Sequence, residues 1–64
     1  MVGKRIAKLR EEKGWTQKRL AKIAGLSKSY IASIEEGKRP GIKAAAMIAE
    51  ALGVEVTKLF REEE

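Results

Sequence analysis

The chain has 64 residues, enough for one small domain at most, and it contains neither cysteine nor histidine. A disulfide framework, a zinc finger and a histidine-based catalytic site are therefore excluded. Fourteen lysines and arginines stand against nine acidic residues, which gives a formal net charge of +5. This balance favours a polyanionic partner, with nucleic acid first and an acidic membrane surface second.

Glycines mark the ends of the predicted helices, because the residue just beyond a helix commonly takes a positive φ. These glycines are Gly14, Gly25, Gly37 and Gly53. The first helix precedes Gly14 and carries an apolar stripe at helical spacing, formed by Val2, Ile6 and Leu9. The next two helices are predicted at 16–24 and 27–36.

N-terminal signals support the second and third helices. Thr16 and Ser27 each supply a side-chain oxygen for the open N–H groups of the helix that follows. Apolar residues flank each cap at the spacing of a hydrophobic staple, Trp15 with Leu20 and Leu26 with Ile31. The predicted core residues are Leu20, Ile23 and Ala24 from the second helix and Tyr30, Ile31 and Ile34 from the third.

The fourth helix is predicted at 42–52, after Gly41 as its cap. It is apolar almost all round except for Lys43 and Glu50, so we expect it to be the central helix. A short fifth turn follows Glu55 and carries Val56, Leu59 and Phe60. No alternating strand pattern occurs. We therefore predict an all-α fold, a compact five-helix domain over 1–61 followed by an acidic tail at 62–64.

The short junction at 24–27 predicts a helix-turn-helix over about 16–36. So few residues with Gly25 as a pivot make two helices cross steeply, and small Ala21 permits their close approach. If Ile31 and Ile34 fix the third helix to the core, its other side faces solvent. The outward residues are then Lys28, Ser29, Ala32, Ser33 and Glu36. Lysine and serine on an exposed helix suit the DNA major groove, where they can reach base edges.

The run from Thr16 to Lys38, TQKRLAKIAGLSKSYIASIEEGK, closely resembles the helix-turn-helix of the Xre family of phage repressors and Cro. The resemblance extends from about Arg5 to Phe60, with IAKLREEKGW before the motif and IAEALGV after it. It implies a lambda-repressor-like domain that binds an inverted-repeat operator as a dimer.

The same resemblance implies individual roles. Gln17 would bond a phosphate and brace the first residue of the recognition helix, Tyr30 would touch phosphate, and Ser27 would be a cap first and a phosphate contact second. Lys28, Ser29 and Ser33 fall at base-contacting positions, and Ala32 offers a methyl to a thymine. Lys38 and Arg39 would follow the phosphates in the next loop. The complete predicted DNA-binding set is Gln17, Lys18, Ser27, Lys28, Ser29, Tyr30, Ala32, Ser33, Lys38 and Arg39.

Two further expectations concern structure and assembly. Arg10 and Glu35 fall on otherwise apolar stripes, and in relatives such a pair forms an internal ion pair. The homodimer interface is predicted on the fifth helix, at Val56, Leu59 and Phe60.

The leading functional hypothesis is a sequence-specific DNA-binding transcriptional regulator, most simply a repressor that occludes a palindromic operator. The alternative is a protein-interaction module on the same fold, such as an antitoxin or an anti-repressor partner, with secondary DNA binding. A membrane-surface or RNA-binding role ranks third, because no helix pairs a wide basic face with a large apolar one. We predict no enzymatic activity, cofactor, metal or small-molecule ligand. No segment approaches the ~20 apolar residues of a membrane span, so we expect a cytoplasmic location.

Overall fold

The computed structural model describes residues 2–60, which form five α-helices and contain no strand. The helices are α1 (Val2–Glu12), α2 (Gln17–Ala24), α3 (Lys28–Glu35), α4 (Ile42–Leu52) and α5 (Val56–Leu59). The predicted all-α, five-helix architecture is confirmed. The acidic tail predicted at 62–64 lies outside the described residues.

Both predicted side-chain caps are present. Thr16 Oγ1 accepts a hydrogen bond from the Arg19 N–H at 3.0 Å, and Ser27 Oγ accepts one from the Tyr30 N–H at 3.1 Å. Each bond satisfies an N–H that has no partner within its own helix. At the start of α4, Gly41 has extended backbone angles and makes no side-chain cap bond.

Gly25 turns the chain sharply between α2 and α3. Its φ of 79° lies in the left-handed region that favours glycine, and its N–H bonds back to the Ala21 and Lys22 carbonyls. The Leu26 N–H also bonds the Ala21 carbonyl, at 2.8 Å. These bonds close the end of α2, so α3 starts after only a few residues and packs directly on α2.

The core draws on every helix. Its fully buried large side chains are Ile6, Leu20, Ile31, Ile34, Ile48 and Leu59. Helix α2 packs on α3 and α4, α1 packs on α3 and α5, and α4 packs on α5. Trp15 and Leu26, the outer members of the two predicted staples, are half-buried against this core. Helix α3 thus packs on α1 and α2, and Ile31 and Ile34 bury its inner face in the shared core.

One sequence-based burial assignment is wrong. Ile23 is 45% exposed, because the inward face of α2 is taken by Leu20, Ala21 and Ala24. At the start of α4, Ile42 is 90% exposed, whereas Ala45, Ile48, Ala49 and Leu52 of the same helix are buried. Helical spacing indicates which apolar residues share one face of a helix. The angle at which a neighbouring helix crosses that face decides which of them are covered.

α1 approaches α3 very closely at Gly3. This glycine is buried, and a Cβ at its position would overlap the Ile34 carbonyl oxygen and stand 3.0 Å from the Glu35 Cα. A side chain of any size would therefore push the two helices apart. Arg10, in the last turn of α1, also reaches the end of α3, where its guanidinium bonds to Glu35.

Candidate nucleic-acid interface

The first turn of α3 presents polar side chains to solvent. Lys28 and Ser29 are exposed there, while Ile31 and Ile34 are fully buried on the opposite side. Ala32 and Ser33, one turn further along, are half-buried. Lys28 and Ser29 therefore face solvent as predicted. Ala32 and Ser33 are also predicted to face outward, but they are only partly exposed.

The Ser33 hydroxyl is already engaged as a donor. Its Oγ donates to the Tyr30 carbonyl at 2.9 Å, one turn back along α3. In this arrangement only the lone pairs of the oxygen remain for an outside group. Ser33 is therefore set to accept a hydrogen bond, which on a major-groove edge means the amino group of adenine or cytosine.

Tyr30 connects α3 to the start of α4. Its side chain is half-buried against the core, and its hydroxyl accepts a long hydrogen bond of 3.4 Å from the Gly41 N–H. Because the hydroxyl accepts there, its own proton is left for an outside acceptor such as a phosphate oxygen. The Lys38 ammonium lies 5.3 Å from the centroid of the same ring.

The loop between α3 and α4, residues 36–41, is called the basic loop below. It exposes Lys38 and Arg39, while Pro40 is buried. The Arg39 guanidinium lies 5.7 Å from the ring centroid of Phe60, the residue that follows α5. Both cations of the basic loop therefore lie over an aromatic ring, one from α3 and one from the end of the described chain.

A charged hydrogen-bond network lies behind this surface. Glu35 accepts from Arg10 Nε at 2.8 Å and from Arg10 Nη2 at 3.1 Å, and Gln17 Nε2 donates to the same carboxylate at 3.0 Å. The other end of the guanidinium, Arg10 Nη1, donates to the Trp15 carbonyl at 2.7 Å. The expected ion pair is present, and it joins α1, the α1–α2 turn, α2 and α3.

The network shifts both titrating groups towards their charged forms. Burial by itself raises the pKa of Glu35, but the hydrogen bonds from Arg10 and Gln17 and the Arg10 charge outweigh it, so the pKa lies below its ordinary 4.5. The hydrogen bond to Glu35 raises the pKa of Arg10 despite the opposing effect of burial. The pair therefore stays ionised at neutral pH and holds the N-terminus of α2 against the end of α3.

A profile of the helix-turn-helix family matches residues 6–59. The chain belongs to the Xre-type helix-turn-helix family. The immunity repressor protein of Bacillus phage phi105 is 41% identical over 63 residues, which cover 97% of this chain and 44% of that repressor. This Xre-type chain thus spans less than half the length of that relative.

Two solved structures show how closely the fold agrees. The N-terminal DNA-binding domain of SinR from Bacillus subtilis is similar with a TM-score of 0.92 at 38% identity, covering 100% of this chain and 96% of that one. The crystal structure of SinR, the master regulator for biofilm formation, in complex with DNA is similar to this chain with a TM-score of 0.90 at 38% identity. In that comparison 95% of this chain and 100% of the other are covered.

Within this Xre-type domain, two predicted site residues have different surroundings from those expected. The family resemblance implies that Gln17 braces the first residue of α3, whereas its amide donates to Glu35, the last residue of that helix. Leu59 was assigned to a dimer face but is only 1% exposed, because it fills the protein's own core. The neighbouring Val56 and Phe60 are 37% and 39% exposed and keep apolar surface available.

The remaining predicted contact residues, Lys18 and Ser27, lie at helix starts. Lys18 is exposed in the first turn of α2, and Ser27 is exposed while its oxygen caps α3. Sequence reasoning missed the Arg39–Phe60 contact, and no spacing rule could have found it, because the two residues are joined only through the packing of α4 and α5. Within residues 2–60 no helix is long and apolar enough to cross a bilayer, and no acidic cluster could hold a metal ion.

Proposed function

We propose that this protein binds double-stranded DNA sequence-specifically and regulates transcription, with α3 in the major groove. The observation that carries the proposal is the pair of opposite faces on α3. Ile31 and Ile34 are fully buried, so the helix is fixed, and Lys28 and Ser29 project from its first turn. A rigid helix with a free cation at its N-terminal end matches the way helix-turn-helix proteins read base edges. Membership of the Xre-type family and the similarity to SinR bound to DNA support the same conclusion.

Phosphate contacts would set orientation and supply most of the affinity. The exposed cations Lys18, Lys38 and Arg39 carry charge towards the backbone, and the Tyr30 hydroxyl retains a proton to donate. Gln17 uses one amide hydrogen on Glu35 and keeps the second for a phosphate oxygen. Such contacts hold the recognition helix in register without reading sequence, and they make binding strongly dependent on salt.

A homodimer would explain how so small a domain selects an operator. We propose that the partner packs on the surface around α5, through Val56 and Phe60, with Leu59 supporting that surface from inside the core. Two recognition helices related by a twofold axis would enter successive major grooves ~34 Å apart, so the operator would be palindromic. Repression by occlusion of a promoter follows most simply, and the working location is the cytoplasm.

The test is a selection of bound duplexes from a random library at two salt concentrations. The affinity of the Lys28→Ala variant is then compared on the selected and scrambled duplexes. We expect a twofold-symmetric site, and we expect Lys28→Ala to lower the selected-to-scrambled affinity ratio by about five- to 150-fold. Lys8→Ala removes the same charge from an exposed position on α1 and is expected to leave the ratio unchanged.

An unchanged ratio in Lys28→Ala would refute the assigned recognition helix. Recovery of no common site, with binding that collapses uniformly as salt rises, would leave only charge attraction. The protein-interaction module, an antitoxin or anti-repressor partner, would then replace the proposed function.

A further inference from the structure

The two cations of the basic loop are restrained in the same way. Lys38 Nζ lies 5.3 Å from the Tyr30 ring centroid, and Arg39 Cζ lies 5.7 Å from the Phe60 ring centroid. Both distances fall within the range of a cation–π interaction. Lysine and arginine side chains at an exposed loop otherwise sample many rotamers, and that freedom is lost when they bind a phosphate. Rings beneath them remove part of this freedom before DNA arrives.

A guanidinium can use a ring and a phosphate at the same time. The ring attracts the cation from beneath, while the five N–H donors of arginine lie in the plane of the guanidinium and point outward from its edge. Binding a phosphate through those donors therefore does not require Arg39 to leave Phe60. The contact can persist in the complex, so its ordering effect counts towards affinity.

The burial pattern around α5 separates the role of Phe60 from that of its neighbour. Leu59 is 1% exposed and supplies the packing that holds α5 to the core, whereas Phe60 is 39% exposed. The Phe60 ring therefore has a face available to Arg39, and its removal takes little from the core.

We propose that Phe60 is a positioning residue for DNA binding, which holds the Arg39 guanidinium over its ring so that the basic loop presents a pre-ordered cation to the phosphate backbone. This proposal rests on the proposed function. Phe60, just after α5, would then have a role in DNA binding that is separate from its contribution, with Val56, to the proposed dimer surface.

The experiment is a double-mutant cycle with Phe60→Leu and Arg39→Ala, in which each protein is titrated with the selected duplex and with a scrambled duplex of equal length. Phe60→Leu keeps apolar bulk and removes the aromatic ring. We expect it to weaken binding to both duplexes by about two- to fivefold, since an exposed cation–π contact has that worth. In the Arg39→Ala background the same change is expected to weaken binding less, because only the contribution of Phe60 to the dimer surface remains. The salt dependence of Phe60→Leu should match the wild type, because no charge is lost, whereas Arg39→Ala should lose about one phosphate contact from its slope.

Val56→Ala is the matched control for dimerisation. It trims the same surface without removing the ring, so any loss it causes should be equal in the wild-type and Arg39→Ala backgrounds. If the Phe60→Leu loss is likewise equal in both backgrounds, Phe60 acts through the dimer alone and the positioning role is overturned. Tighter binding by Phe60→Leu would also overturn it, because the ring would then be holding Arg39 away from DNA.

Two results separate this inference from the proposed function. If Arg39→Ala weakens binding and Phe60→Leu does not, DNA binding stands and the inference fails. If the wild type has no selected site and Arg39→Ala changes nothing, both fail together. NMR of the DNA-free protein gives an independent readout, since the ring current of Phe60 should shift the Arg39 Hε resonance and Phe60→Leu should abolish that shift. A resonance unaffected by Phe60→Leu would contradict the proposed contact.

Discussion

Replacing Glu35 with glutamine tests the network that joins α1, α2 and α3. The change keeps the size of the side chain but removes its charge and turns one acceptor oxygen into a donor. Three donor atoms, two from Arg10 and one from Gln17, now converge on the carboxylate at 2.8 to 3.1 Å. In Glu35→Gln the new amide group faces one of these donors, and Arg10 is left with the exposed Glu11 carboxylate, 3.6 Å away, as its counter-ion.

The expected loss is about 3 kcal/mol of unfolding free energy. Breaking a buried ion pair by changing one partner costs about 3–5 kcal/mol. The side chains here are 12% and 8% exposed for Arg10 and Glu35, so water relieves part of the penalty and the lower end applies. For a domain of this size the corresponding fall in Tm is about 12–24 °C. Glu36→Gln makes the same chemical change at the next, exposed residue and is expected to stay within about 0.5 kcal/mol of wild type.

The assay is urea denaturation followed by far-ultraviolet circular dichroism, repeated from neutral to acidic pH. The folded-state pKa of Glu35 lies below its ordinary 4.5, so the unfolded chain binds the proton more readily. The stability from this carboxylate is therefore complete above the unfolded-state pKa and is lost as pH falls through the folded-state pKa. The difference between wild type and Glu35→Gln should be constant near neutral pH and should narrow over that acidic range.

A loss below about 1 kcal/mol in Glu35→Gln would refute the view that this pair is largely shielded from water and well paired. A difference that stays constant through the acidic range would equally contradict it, because the penalty would then not arise from the ionised carboxylate.

Two glycines give opposite predictions for stability. Gly3→Ala should lower the free energy of unfolding by about 1–3 kcal/mol, because its Cβ would overlap the Ile34 carbonyl where α1 meets α3. Wild-type stability in this variant would mean that the two helices are not in such close contact. Gly41→Ser should raise stability by a few tenths of a kcal/mol, since the position has extended backbone angles and open space, and a hydroxyl would cap α4 as Thr16 caps α2. Thermal denaturation of both variants checks the two signs, and a Gly41→Ser protein less stable than wild type would contradict the capping argument.

Local sequence signals were sufficient for the helices and their ends. Caps and glycine terminators act over three to five residues, so Thr16, Ser27 and Gly25 could be identified without knowing what lies across the core. The solvent-facing position of Lys28 followed from the same logic, because Ile31 and Ile34 share one face of a short helix. The resemblance to the Xre family supplied the Arg10–Glu35 pair, which spacing alone could not have assigned.

Only the tertiary structure decided which apolar side chains are buried and which residues contact each other across the core. Ile23 and Leu59 are both apolar at helical spacing, yet one is 45% exposed and the other 1%, because a neighbouring helix covers the second and not the first. Gln17 bonds to Glu35 rather than near Lys28 because of how α2 and α3 cross. Arg39 reaches Phe60 only because α4 and α5 fold the end of the chain back on the basic loop. Periodicity is a property of one helix, whereas crossing angles and contacts between residues distant in sequence arise only when several helices share one core.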